Sequence, residues 1–240
     1  MRRFWSIKRQ TLIGPLLETY LYISVFGAAL GSRIDKLDGY PYITYIIPGL
    51  LLMAIATNAF SNNSSSLLQQ KFQKSIDDQL SSPVSNGALM AAYTLGGFLR
   101  GLTIASVTYA TAALLTSLPL AHPLILLSSL ILCGLFFASL GVLVGLRAET
   151  FDNVSFYSTF VIQPLIFLGG VFYSVDLLAE PFRTLTHFDP LFYMINTVRY
   201  GMLGRSDVNA YWSLLVIAIA TGMVISTNLW LFRKGYRLRS

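Results

Sequence analysis

Six apolar stretches, at about 11–31, 43–63, 89–118, 123–146, 154–175 and 211–232, dominate this chain of 240 residues. A bilayer's hydrocarbon core is about 30 Å thick, which takes roughly 20 apolar residues of helix to cross. Lipid offers the backbone no hydrogen-bond partner, so such stretches fold as helices whose bonds are internal. The expectation is an all-α integral membrane protein, one domain over 1–240 with six transmembrane helices.

The formal net charge of +6 raises the question of nucleic acid, and its placement answers it. With both termini taken as cytoplasmic, the inside segments hold Arg2, Arg3, Lys8, Arg9, Lys71, Lys74, Arg147, Arg233, Lys234, Arg237 and Arg239. The outside segments hold Arg33, Lys36, Arg183, Arg199 and Arg205. This asymmetry is a positive-inside bias, and an even number of spans returns both ends to one side. The basic charge therefore reads as topology, with no nucleic-acid partner. The basic, then apolar, start resembles a signal peptide, but its apolar run is too long, contains Glu18 and lacks a small-residue cleavage site, so it reads as a first span.

Several chemistries lack their residues. No Lys follows a Gly, so there is no P-loop, and neither GxGxxG nor GxSxG occurs. His122 and His187, far apart in sequence, read as ordinary polar loop residues rather than a metal site. The single cysteine, Cys133, lies within the fourth span as a small packing residue. No catalytic residue, cofactor or metal is assigned. Any energy for uphill work must come from elsewhere.

In the loop between the second and third stretches, Leu68, Phe72, Ile76 and Leu80 recur every four residues. Lys71, Lys74, Asp77 and Asp78 surround them, Lys74 and Asp78 forming an i,i+4 pair, and Pro83 within SSPVSNG stops the helix. A short amphipathic helix here either docks into a groove on another protein or lies on the membrane surface. Before the sixth stretch, Pro181, Phe182, Leu185 and Phe188 suggest a short apolar helix. Asp189–Pro190 then reads as an N-cap and first helical residue, with the helix ending near Gly204. These two pieces are too apolar for solvent and too short to span, and read as a re-entrant outer pair.

Gly27/Gly31, Gly97/Gly101 and Gly141/Gly145 each form a GxxxG, which favours close helix contact. Gln163–Pro164 and Pro48–Gly49 allow kinks. Asn58, Ser61, Asn62 and Ser65 share a face that either borders a polar path or bonds neighbouring helices. Glu18 and Arg100 are the ionisable residues placed well inside apolar runs; each either serves function or snorkels to an interface.

An ordered set of segments completes the reading: YIIPGLLLMAIATNAF (45–60), KFQKSIDDQLSSPVS (71–85), GGFLRG (96–101), FDNVSFYSTFVIQPLIFLGGVFYSVDLL (151–178) and HFDPLFYMINTVRYGMLG (187–204). In this order around six spans, the chain resembles the ABC-2 type permeases of bacterial ATP-binding-cassette exporters. The resemblance implies a homodimer of six-span subunits in the bacterial inner membrane, surrounded by lipid, with a separate ATPase subunit below each. It implies that 71–85 is the coupling helix, with Leu68, Lys71, Phe72, Lys74, Ile76, Asp77, Asp78 and Leu80 at the ATPase interface. The pathway candidates are Asn58, Ser61, Asn62, Gln163 and Phe167, and the outer gate candidates Phe182, Phe188, Asp189 and Arg199. One departure is that members carry a longer amphipathic helix before the first span, where here only 1–10 precede it. Two alternatives stand beside this reading: a lipid-acting intramembrane enzyme using Glu18, Arg100 or Asp189, and a standalone channel or carrier.

Overall fold

Long runs of Leu, Ile, Ala and Phe with few interior breakers give helices, and their small-residue faces decide how those helices stack. The computed structural model describes residues 2–29, 31, 36–76 and 83–235. Helix α1 (Arg2–Ala29) carries Pro15 inside it. A two-stranded antiparallel hairpin follows, β1 (Lys36–Leu37) and β2 (Tyr40–Pro41), with Leu37 opposite Tyr40. Its turn places Asp38 and Gly39 at φ 51° and 86°, the left-handed pair that an Asp-Gly hairpin requires. The next helices are α2 (Tyr42–Phe72), α3 (Asn86–Leu115) and α4 (Pro123–Arg147). A helical run at 151–168 comprises α5 (Phe151–Phe156), a π-helical segment (Tyr157–Ile162) and α6 (Gln163–Leu168). A 3-10 turn (Val175–Leu177), the short α7 (Phe182–Thr186), then α8 (Pro190–Leu203) and α9 (Ala210–Arg233), complete the described elements.

Among the described residues, α2, α3, α4 and α9 are long and apolar enough to cross a membrane. The other two expected spans take different forms. The first falls on α1, whose opening turns are basic. The fifth, expected to run to 175, leaves the helix after Leu168 because Gly170 turns the chain at φ 86°. Its π-helical segment has a local cause. Pro164 has no N–H to offer Phe160 and its ring crowds that carbonyl, and the Gln163 N–H reaches back five residues to the Ser158 carbonyl.

Helix α2 is the centre of the bundle, and glycine is what lets its neighbours approach. A Cβ on Gly141 would lie 2.5 Å from the Phe60 carbonyl oxygen, and one on Gly145 would lie 3.0 Å from that of Ser64. From the other side, Gly97 presses on Asn63 and Gly101 on Ile55 and Ala59. Both of these GxxxG pairs therefore seat α2 between α3 and α4. Gly27 of α1 meets Ile43 of α2.

The bundle has two ends. At one, α2 finishes at Phe72, and a small core of Leu67, Ile76, Met90, Leu146, Leu231 and Phe232 joins α2, α3, α4 and α9. At the other, Tyr42 and Tyr45 begin α2 beneath α8 and the 169–173 turn.

Candidate functional site

The sequence-predicted residues fall into three places. At the Phe72 end, α2 continues to Phe72 before turning at Gln73 and Lys74, the latter at φ 54°. The four-residue apolar repeat therefore does not lie on one uninterrupted helix. Leu68 and Ile76 are each 1% exposed and face the core, while Phe72 is 57% exposed. Its ring lies 5.7 Å from that of Phe151, which is also exposed. The Lys71 ammonium donates to the carbonyls of Leu146 at 2.8 Å and Ala148 at 3.1 Å, capping the end of α4. Lys74 is exposed. Asp77, Asp78 and Leu80 lie outside the described residues.

Midway along the bundle is a polar row. Asn58 donates to the Ala54 carbonyl of its own helix, and Asn62 accepts from Arg100 at 3.1 Å. Asn62 also donates to Asn63, which bonds the Ala138 carbonyl of α4 at 2.9 Å. Ser61 is exposed. Glu18 lines a narrow cleft between α1 and α2 with Asn58, Thr57 and Tyr22. Gln163 and Phe167 are exposed on one face of α6, and among the described residues no hydrogen bond joins Gln163 to the α2 row. Phe167 instead stacks on Phe172 at 5.6 Å, and Phe172 stacks on Phe26 of α1 at 4.7 Å.

The Arg199 end is the most elaborately bonded. Asp189 caps α8, its Oδ1 accepting from the Leu191 N–H at 2.9 Å, and Gly204 ends that helix at φ 70°. A helix end buried in protein must find partners for its last four carbonyls. Here the Gly204 N–H takes that of Tyr200, His122 N–H that of Gly201, Ala121 N–H that of Met202, and the Tyr40 hydroxyl that of Leu203.

Arg199, 1% exposed, points from α8 towards α2. Its Nη2 donates to the Gly170 carbonyl at 2.7 Å, its guanidinium lies 4.2 Å over the Tyr45 ring, and Nη1 is 3.6 Å from Asp207 Oδ2. The first is a good charge-assisted bond; the last is an ion contact too long to be a hydrogen bond. The turn that Arg199 holds is pinned again by Tyr42, whose hydroxyl donates to the Phe172 carbonyl at 3.1 Å, and by Gly49 against Val171. Phe182 and Phe188 stand apart from this centre, exposed on the surface.

Burial pushes the Asp189 carboxyl up to about 6, against the downward pull of the Leu191 amide. Burial also raises Asp207; Arg199 opposes it, Asp38 and Asp176 add to it, and His187 opposes it. Glu18, Arg100 and Asp189 occupy three different settings: a cleft beside Asn58, a bond to Asn62 and the cap of α8. That is not a single catalytic pocket.

Sequence reasoning did not single out Tyr45, Gly170, Asp207 or Tyr40. An Asp-Gly pair between Leu37 and Tyr40 was the available signal for the hairpin that brings Tyr40 to α8. Nothing local in the sequence marks the other three as partners of Arg199.

Residues 1–203 match the family model for the ABC-2 type transporter. The chain is 37% identical to the inner membrane transport permease YadH of Escherichia coli K12, over all of this chain and 94% of that protein. It is 29% identical to nodulation protein J of Rhizobium leguminosarum bv. viciae, over 91% of this chain and 86% of that protein. Against nodulation protein J of Rhizobium meliloti the identity is 28%, over 83% and 76%. The chain belongs to the ABC-2 type transporter membrane family.

Proposed function

We propose that this protein is the permease subunit of an ATP-binding-cassette exporter, crossing the inner membrane six times as a homodimer and driven by a separate ATPase subunit. Membership of the family and full-length likeness to an inner membrane transport permease support transport. The observation that carries the finer reading is the exposed Phe72–Phe151 pair at the end of the bundle's most enclosed helix. Large aromatics exposed together at a polar end are the kind of anchor that a partner's groove covers.

The Phe72 end is the cytoplasmic one in this proposal. Lys71, Lys74, Arg147, Arg233 and Lys234 lie there, as the positive-inside bias requires. The opposite end holds Lys36, Arg183 and Arg205, with Arg183 paired to Asp176 at 2.6 Å and Arg199 buried. The segment after Phe72 serves as the coupling element.

Helix α2 transmits the ATPase's motion. Its 31 residues make a rod ~46 Å long at 1.5 Å per residue. Gly97, Gly101, Gly141 and Gly145 clasp it closely enough that it moves with α3 and α4 rather than sliding between them. Displacement at Phe72 therefore arrives at Tyr42 and Tyr45, which hold the 169–173 turn and Arg199. The π-helical segment before Pro164 supplies a deformable point in the helix that borders the path. Exposed Leu17, Leu21 and Val25 on α1, with Phe156 and Phe160, form the apolar surface that meets the second copy. A path bordered by aromatic and apolar groups with scattered amides suits an amphipathic cargo.

Affinity purification from the native host in mild detergent tests the reading. Stoichiometric recovery of a P-loop ATPase is the expected result; a folded, dispersed preparation without one contradicts it.

A further inference from the structure

Arg100 is the fifteenth residue of the 30-residue α3, and its side chain is exposed. At 1.5 Å per residue it lies ~21 Å from the start of that helix, near the middle of the membrane. An exposed guanidinium at that depth is costly unless an anion or a polar path meets it. Among the described residues no carboxylate forms an ion pair with Arg100, and its hydrogen bond goes to the neutral Asn62 Oδ1. A neutral acceptor leaves the charge uncompensated.

Beside it, a cleft of about 410 Å³ runs between α2 and α3 towards the Phe72 end. It is lined by Asn62, Ser66 and Gln70 from α2 and by Tyr93 and Gly96 from α3. The Tyr93 hydroxyl donates to Gln70 Oε1, tying α3 to α2 along one side of the cleft. Gly96 stands one helical turn before Arg100, and a Cβ built on it would meet no atom within 4 Å. The glycine is thus not there to let a neighbour approach; its missing side chain keeps the wall of the cleft open. The cleft leads from the Phe72 end towards the Arg100–Asn62 pair, its amide, hydroxyl and phenol groups set in a mainly apolar wall that includes Leu89 and Ala92.

We propose that Arg100 and Asn62 bind the phosphate of a membrane phospholipid that enters this cleft from the Phe72 end. A phosphate diester supplies the anion that Arg100 lacks, and its oxygens suit a guanidinium's parallel donors. The acyl chains remain in the bilayer alongside α3, whose outer face exposes Leu95 and Leu99. This assignment rests on the membrane-spanning part of the proposed function and not on the ATPase partner. Failure to recover an ATPase would leave it standing.

The test is native mass spectrometry of the purified full-length protein titrated with phosphatidylglycerol, with diacylglycerol and inorganic phosphate as separate arms. The wild type is expected to hold phosphatidylglycerol saturably. Arg100→Gln should weaken this about tenfold, as the loss of a charge-assisted hydrogen bond implies. Gly96→Leu should weaken it as much by filling the cleft while keeping the charge, and Arg100→Lys should restore part of it. If Arg100→Gln does not fold, Gly96→Leu decides the matter, since its Cβ has free space. Unchanged phosphatidylglycerol binding in Gly96→Leu overturns the proposal. So does diacylglycerol binding as tightly, or displacement of the lipid by inorganic phosphate at equal concentration.

Discussion

The guanidinium of Arg199 lies 4.2 Å over the ring of Tyr45, joining α8 to the first turn of α2. The contact is dry, since both side chains are buried. It couples two segments 154 positions apart through a cation that also holds the Gly170 turn. In the proposed mechanism this contact is what carries a displacement of α2 to α8 and the 169–173 turn.

Replacing Arg199 by Met removes the cation and leaves the Gly170 carbonyl unpaired. An unsatisfied buried acceptor costs about 1–3 kcal/mol, and a desolvated cation–π contact contributes about 2. We expect Arg199→Met to lower stability in detergent by about 3 kcal/mol. Asp207→Asn should cost less than Arg199→Met, because its contact at 3.6 Å is an ion pair without a hydrogen bond and the Gly170 and Tyr45 contacts of Arg199 remain. Thermal unfolding of both variants checks the order; equal losses would mean that the ion pair dominates.

The Asp189 carboxyl provides a pH test. Its folded-state value, about 6, is above the ordinary 3.8, so between those values the folded protein binds more protons than the unfolded chain. Stability from this group therefore rises as pH falls from about 6 towards about 4, and is lost as pH rises through that window. Asp207, also raised, contributes with the same sign. Asp189→Asn keeps an oxygen to accept from Leu191 and should flatten the dependence. Unfolding midpoints between pH 4 and 7 read it directly, and an unaltered slope would contradict it.

The glycines divide by what they touch. Gly141→Ala would bring a methyl 2.5 Å from a backbone carbonyl of α2, and overpacking of this kind costs about 1–3 kcal/mol. Gly222 on α9 has no atom within 4 Å, so Gly222→Ala should be neutral or stabilising by up to about 1 kcal/mol through helix propensity. Paired melts of the two variants test whether α2 is clasped as described.

Local chemistry was legible in the sequence and remote partnership was not. Asp189–Pro190 and Gly204 punctuate α8 as expected, because a cap, a preset φ and a left-handed residue act within a few positions. Pro164 announced an irregular helix for the same reason, although not that the irregularity would be a π-helical segment. The apolar repeat after residue 64 was legible as a pattern, yet its segmentation was not. Lys74 takes a left-handed φ where no glycine or proline signals a turn. The GxxxG pairs promised close approach without naming α2 as the helix approached. Arg199 demanded a partner, and its partners came from Gly170, Tyr45 and Asp207, which only the folded chain brings together.

Contact of the Phe72 end with an ATPase is directly measurable. Cys133 is fully buried, so a cysteine introduced at an exposed site is the reactive one. Phe72→Cys and Phe182→Cys, at opposite ends of the bundle, can be cross-linked in native membranes with a bifunctional thiol-to-amine reagent. A covalent adduct with a P-loop ATPase is expected from position 72 and none from position 182. An adduct at 182 alone, or no ATPase adduct at 72 in a folded and inserted protein, would contradict it.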